Sequence, residues 1–234
     1  MASEPDDWQA RVLRSLSARL LLNCCRQAGK SSVAAVLALD TALTRPRSLT
    51  LCVAPVERQS KELFRKVLEA YRTLGRPIAP ETENKLEMEL ANGARIVALP
   101  GKEGTIRSFS GVHLLILDEA SRVADDLYRA VRPMLAVSGG RLLALSTPFG
   151  KRGWWFEEWQ GGGPWERVEI KAEQCPRITA EFLDEEERAL GRRWFRQEYE
   201  CSFEDTIGAV FQYDDIQALL SAEVKPVAFP ESPQ

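Results

Sequence analysis

The stretch Arg26-Gln27-Ala28-Gly29-Lys30-Ser31-Ser32 sets a glycine, a lysine and a hydroxyl side by side directly after the strand-like run Arg19 to Cys25. In loops of the pattern Gly-x-x-x-x-Gly-Lys-Ser/Thr, a turn exposes successive backbone N–H groups and the following helix adds its positive end, so the loop cradles phosphates. Cys24 stands at the first glycine position of this Walker A pattern. Lys30 is expected to follow the β- and γ-phosphates of ATP, and the Ser31 hydroxyl to ligate Mg²⁺. A second constellation, Leu114-Leu115-Ile116-Leu117-Asp118-Glu119, has the form of a Walker B strand ending in two carboxylates. Asp118 is expected to hold the magnesium shell and Glu119 to polarise an attacking water, which favours hydrolysis over transfer to a second substrate. Ser146 and Thr147 close a further apolar run, where a hydroxyl can sense the γ-phosphate.

These residues need elements to position them. Asp7 to Leu16 has helical spacing, Arg19 to Cys25 reads as a buried strand, and Ser32 to Leu43 as a helix closed by Pro46. Leu49 to Ala54 is a second strand, and Val56 to Leu74 an amphipathic helix that stops near Gly75 and Pro77. Leu86–Leu90 and Arg95–Leu99 alternate around Asn92-Gly93, which predicts an antiparallel hairpin. The strand at 114–117, a helix around 125–136 and a strand at 141–145 complete the alternation. The expected fold is α/β, a RecA-like P-loop nucleoside triphosphatase with a doubly wound, mostly parallel sheet and ligands beyond the carboxyl ends of its strands. The expected organisation is an ATPase core at 1–150, a small lid-like subdomain at 151–205 that completes it, and a linker or tail at 206–234.

Composition bounds the rest. With 31 Lys and Arg against 34 Asp and Glu, the net charge of −3 excludes a uniformly basic nucleic-acid coat and leaves only local patches, such as Lys61, Arg65 and Lys66 or Lys151-Arg152. No apolar run approaches the roughly 20 residues of a membrane span, and the acidic start is not a secretory signal, so a cytoplasmic protein is expected. Cys24, Cys25, Cys52, Cys175 and Cys201 form no Cys-x-x-Cys pair, and with a single histidine they suggest reduced, structural thiols.

Taken in order, Trp8-Gln9, Cys25-Arg26-Gln27-Ala28-Gly29-Lys30-Ser31, the Asn92-Gly93 hairpin, Arg107, Leu117-Asp118-Glu119-Ala120 and Ser146-Thr147-Pro148-Phe149-Gly150 resemble the large terminase subunit of tailed bacteriophages over about residues 7–205. The resemblance implies an ATP-driven motor that moves double-stranded viral DNA into a procapsid in the host cytoplasm. Its implied partners are the portal protein, the small terminase subunit and further copies in a homo-oligomeric ring, with a monomer possible in isolation. It also implies that Gln9 reads adenine, that Arg26 contacts phosphate as part of the catalytic set, and that Arg107 is an arginine finger reaching a neighbour's ATP. Ser146-Thr147-Pro148 would couple hydrolysis to movement. Large terminases carry a second, nuclease domain, and the residues after Asp205 are too few for one, so no DNA cleavage is expected from this chain. Two readings compete: a helicase-like or DNA-remodelling ATPase, and a non-hydrolysing DNA-docking module.

Overall fold

Each apolar run that lacks polar alternation becomes a strand covered on both faces, in the computed structural model, which describes residues 4–101, 106, 108–205 and 219. The elements are α1 (Asp7–Arg14), β1 (Arg19–Cys24), α2 (Lys30–Thr44), β2 (Leu49–Ala54), α3 (Glu57–Thr73), β3 (Pro80–Glu83), β4 (Glu87–Leu90), β5 (Arg95–Pro100), β6 (Leu114–Asp118), α4 (Asp125–Val131), β7 (Arg141–Ser146), α5 (Gly153–Gln160), β8 (Glu166–Ile170), α6 (Ala180–Leu190) and α7 (Arg192–Tyr199). The strands form a single sheet in the order β3-β4-β5-β2-β6-β7-β1-β8. From β5 to β8 every neighbouring pair is parallel, while β3-β4 and β4-β5 are antiparallel.

Alternation along each central strand sorts its side chains between two cores. Leu20, Leu22, Cys24, Cys52, Leu114, Ile116, Leu143 and Leu145 face one cluster, shared with α2 and α3. Leu21, Leu51, Val53, Leu115, Leu117, Leu142 and Ala144 face the other, shared with α4 and α5. Helix α2 approaches its face closely because Ala34, Ala35, Ala38 and Ala42 are small and buried.

The expected hairpin is present, with Met88 opposite Ile96. Gly93 has φ 77°, and its N–H donates to the Leu90 carbonyl at 2.7 Å. Strand β3 was not anticipated, because Pro80-Glu81-Thr82-Glu83 has no apolar alternation and is held by pairing with β4. The helix expected over 125–136 ends as α-helix at Val131 and continues as a 3-10 turn, Arg132–Leu135, around Pro133. Within the stretch read as lid-like, β8 is an integral edge of the sheet against β1, and Trp154 and Trp155 of α5 are buried in the core. These elements belong to one compact unit ending at Glu204. The tail expected at 206–234 lies outside the described residues apart from Leu219.

Candidate nucleotide site

Parallel pairing brings the carboxyl ends of three strands level. Asp118 of β6 pairs with Leu145 of β7, and Leu145 pairs with Leu22 of β1. The chain leaving β1 is then tethered twice: the Cys25 N–H donates to the Ile170 carbonyl and the Arg26 N–H to the Glu198 carbonyl, both at 2.8 Å. The loop turns at Gln27 (φ 65°) and Gly29 (φ 90°). Cys24, in contrast, is the last residue of β1, has no positive φ and is buried, so the turn makes no demand for glycine there. Gly29 is required by its left-handed backbone, while the Gln9 Nε2 that a Cβ would meet at 2.9 Å is the end of a flexible side chain that can move away. No side chain caps α2, which begins at Lys30. Its N-terminal end is therefore available for an anion.

Lys30 Nζ lies 3.0 Å from Glu119 Oε1. Ser31 Oγ donates to Asp118 Oδ2 at 3.4 Å. Burial opposes the lysine charge, but the neighbouring Glu119 and Asp118 outweigh it and raise the Lys30 pKa. Asp118 is 5% exposed, and burial pushes its carboxyl up to about 6 despite Lys30 nearby. Glu119 sits at φ 51°, ψ 43°, a left-handed conformation unusual for a glutamate, with its N–H donating to Asp118 Oδ1 at 3.0 Å. That turn aims two successive carboxylates at one lysine. Oxygen donors of this kind suit Mg²⁺, which takes one or two protein ligands and completes its octahedron with water and phosphate.

A cleft of about 600 Å³ opens over these groups, lined by Arg26, Gln27, Gly29, Lys30, Ser31, Ser32, Glu119 and Thr147 of the sequence-predicted set. Ala28 is buried beneath the loop, and its carbonyl accepts from Arg177 at 3.4 Å. Gln9 sits beside the loop rather than in the cleft lining, its amide oxygen accepting the Asp6 N–H at 3.0 Å as part of the α1 cap. Ser146 is fully buried, and its hydroxyl is 2.7 Å from that of Ser121. Arg107 lies outside the described residues.

The cleft also takes in Gln59, Arg122 and Glu198, which the sequence did not mark, and Lys66, which it offered only as part of a basic patch. Gln59 has a buried amide oxygen with no hydrogen-bond partner among the described residues. Glu198 holds Arg26 Nη1 at 3.3 Å. Arg177 grips Asp6 through two bonds of 2.8 and 2.7 Å, tying α1 to the loop. The helical face of α3 could have signalled Gln59 and Lys66, which are seven residues apart; Arg177 and Glu198 carried no such signal. Of the basic patch suggested on α3, Lys61 pairs with Glu57 and Arg65 with Glu62 and Glu69, so those two charges are locally balanced, while Lys66 lines the cleft. The five cysteines are free and buried, and burial raises the Cys24 thiol to about 12, which keeps it inert. Among the described residues no helix is long and apolar enough to cross a membrane.

The chain is similar to known proteins in sequence and in structure. It is 28% identical over 195 residues to the large terminase subunit of Escherichia phage T5, a match spanning 80% of this chain and 44% of that protein. The chain thus spans less than half the length of that relative. The large terminase ATPase domain of Thermus phage P74-26 superposes with a TM-score of 0.76 at 23% identity, covering 86% of this chain and 94% of that one. The large terminase of the thermophilic bacteriophage D6E in complex with ADP superposes with a TM-score of 0.69 at 11% identity, covering 85% and 53%. At these identities the structural likeness establishes the P-loop nucleoside triphosphatase fold. Residues 21–218 match the family profile described as terminase large subunit, T4likevirus-type, N-terminal, and the chain belongs to that family.

Proposed function

We propose that this chain is a Mg²⁺-dependent ATPase whose turnover drives double-stranded viral DNA into a procapsid. The observation that carries the reading is the 3.0 Å contact of Lys30 Nζ with Glu119, beside Asp118 and Ser31, at the floor of a cleft at the carboxyl ends of parallel strands. ATP would enter with its phosphates on Gln27 to Ser32, the backbone N–H groups and the α2 terminus meeting their charge. Lys30 would exchange its bond to Glu119 for the β- and γ-phosphates. Glu119, freed from the ammonium, would then accept a proton from the attacking water as it adds in line to the γ-phosphorus and the bond to the β–γ bridging oxygen breaks, releasing ADP and phosphate. Ser31 and Asp118 would hold Mg²⁺, which when bound neutralises charge on the phosphate oxygens. Arg26 would contact phosphate from its tether on Glu198, Gln9 would read the base, and Thr147, with Ser146 behind it, would report the γ-phosphate.

In this reading residues 1–150 are the ATPase core, and 151–205 complete it with β8 and with the Glu198 and Arg177 tethers. Residues 206–234 are assigned to a linker or tail by their sequence alone. The partners are double-stranded DNA, the portal, the small terminase subunit and further copies in a ring, and the place of action is the bacterial host cytoplasm. Support comes from family membership and from the ADP complex of the D6E relative. The test is steady-state ATP turnover, with Mg²⁺ and with EDTA, for the wild type and for Lys30→Ala, Glu119→Ala and Arg107→Ala, alone and mixed. Loss with Lys30→Ala and Glu119→Ala, and rescue of Arg107→Ala on mixing with Lys30→Ala, is expected. Full turnover by Glu119→Ala would overturn the mechanism.

A further inference from the structure

Arg122 follows Glu119 by three residues, at the end of the 3-10 turn Ala120–Arg122. It lines the phosphate cleft together with Lys30, Ser31, Glu119 and Thr147. It also lines a second, smaller hollow with Phe149, Arg152 and Trp154. The guanidinium carbon lies 3.9 Å from the centre of the Phe149 ring. Among the described residues no carboxylate or carbonyl takes its N–H groups, whereas Arg26, Arg65, Arg72, Arg95, Arg177 and Arg192 all pair with acids. A guanidinium stacked by its face keeps its donors free at the edge, in the plane that a phosphate approaches. The ring is thus a shelf that orients the fork without using it.

Phe149 belongs to Ser146-Thr147-Pro148-Phe149-Gly150, the segment leaving β7. The turn that bears Arg122 is fastened to the start of the same segment by the 2.7 Å contact between Ser121 and Ser146. Turn and segment therefore meet at two points, one half-buried hydroxyl pair and one stacked arginine.

We propose that Arg122 is a phosphate-contacting residue supplied within the same subunit, reaching the γ-phosphate of bound ATP from its seat on Phe149. Its contact is strongest when the γ-phosphate is present, so the stack of Arg122 on Phe149 carries the difference between ATP and ADP into the segment after β7. This inference rests on the proposed ATPase reading, but its binding test does not need turnover.

The experiment measures affinity for ATP-γ-S and for ADP, and ATP turnover, for the full chain and for Arg122→Ala, Arg122→Lys, Phe149→Leu and Arg152→Ala, each checked for an unchanged unfolding midpoint. Arg122→Ala is expected to lower kcat by at least about tenfold and to weaken ATP-γ-S by about tenfold while leaving ADP within about threefold, as loss of one charge-assisted contact predicts. Arg122→Lys and Phe149→Leu are expected to fall between Arg122→Ala and the wild type. Arg152→Ala, 4.8 Å from the same ring but outside the phosphate cleft, is expected to stay near wild type. Mixing Arg122→Ala with Lys30→Ala is expected to restore nothing, since both residues serve one subunit's site. Equal losses for ATP-γ-S and ADP, an equal loss in Arg152→Ala, or rescue on mixing would each overturn the proposal. If the wild type binds nucleotide but does not turn it over, the ATPase reading fails while the ATP-γ-S to ADP ratio still decides the role of Arg122.

Discussion

Replacing Asp118 with asparagine should make the nucleotide-free protein more stable while removing the proposed ligand for Mg²⁺. Burial raises the Asp118 carboxyl from 3.8 in the unfolded chain to about 6 in the folded one. The folded state therefore binds the Asp118 proton more tightly than the unfolded state between those two values. Stability is greatest below pH 3.8, falls as pH rises through the folded pKa, and levels off above it. A shift of about 2 units at 1.36 kcal/mol each puts the cost of the ionised carboxylate near 3 kcal/mol at neutral pH. Asparagine keeps the shape without the charge, and the pull of Lys30 is already included in the raised value, but its single amide oxygen cannot accept from both Ser31 and the Glu119 N–H. The net gain should therefore lie between about 1 and 3 kcal/mol. With a urea slope of about 2 kcal/mol/M this is a midpoint shift of about 0.5 to 1.5 M. Urea unfolding at pH 8 and pH 4, without nucleotide or metal, is the assay. The gain should be full at pH 8 and close to absent at pH 4. A less stable variant at pH 8, or an equal gain at both pH values, would refute the argument that Asp118 is a desolvated charge retained for function.

Gly29→Ala should cost about 1 to 2 kcal/mol because alanine is strained at φ 90°, whereas the nearby Gln9 amide can swing aside; an unfolding curve identical to wild type would sink this. Glu119→Gln should keep ATP-γ-S binding while turnover falls by about a hundredfold or more, the share expected of a general base. If binding is lost in parallel, the chief work of Glu119 is to position Lys30. Arg177→Ala should change unfolding free energy by less than about 1 kcal/mol, since the arginine is 49% exposed. Amide hydrogen exchange in α1 should nonetheless quicken, because Asp6 loses its two bonds to the loop side; unchanged exchange would show that α1 is held by its apolar face alone.

The central strands were legible as continuous apolar runs, since a parallel sheet covered on both faces has no need of polar alternation, as in Leu20-Leu21-Leu22 and Leu114 to Leu117. The hairpin was legible because Asn92-Gly93 has only one common use between alternating strands. Strand β3 was not, since its polar residues become a strand only when β4 offers a free edge. The placement of β8 beside β1 was also hidden, because a sheet neighbour 140 or more residues away leaves no local mark on either strand.

The same division holds for the site. The sequence by itself singled out the groups proposed to bind a phosphate and a metal, because Gly29, Lys30, Ser31, Asp118 and Glu119 are chemically specific and sit next to strand ends that their own neighbours define. Tertiary structure alone decided what surrounds them. It brought Glu198 to Arg26, Arg177 to Asp6 and Phe149 to Arg122 across long stretches of chain. It also decided that Cys24 could replace a glycine, since the turn was moved to Gln27 and Gly29. Contacts of this kind depend on how helices settle against a sheet, which is governed by packing of the whole core and not by any short run of residues.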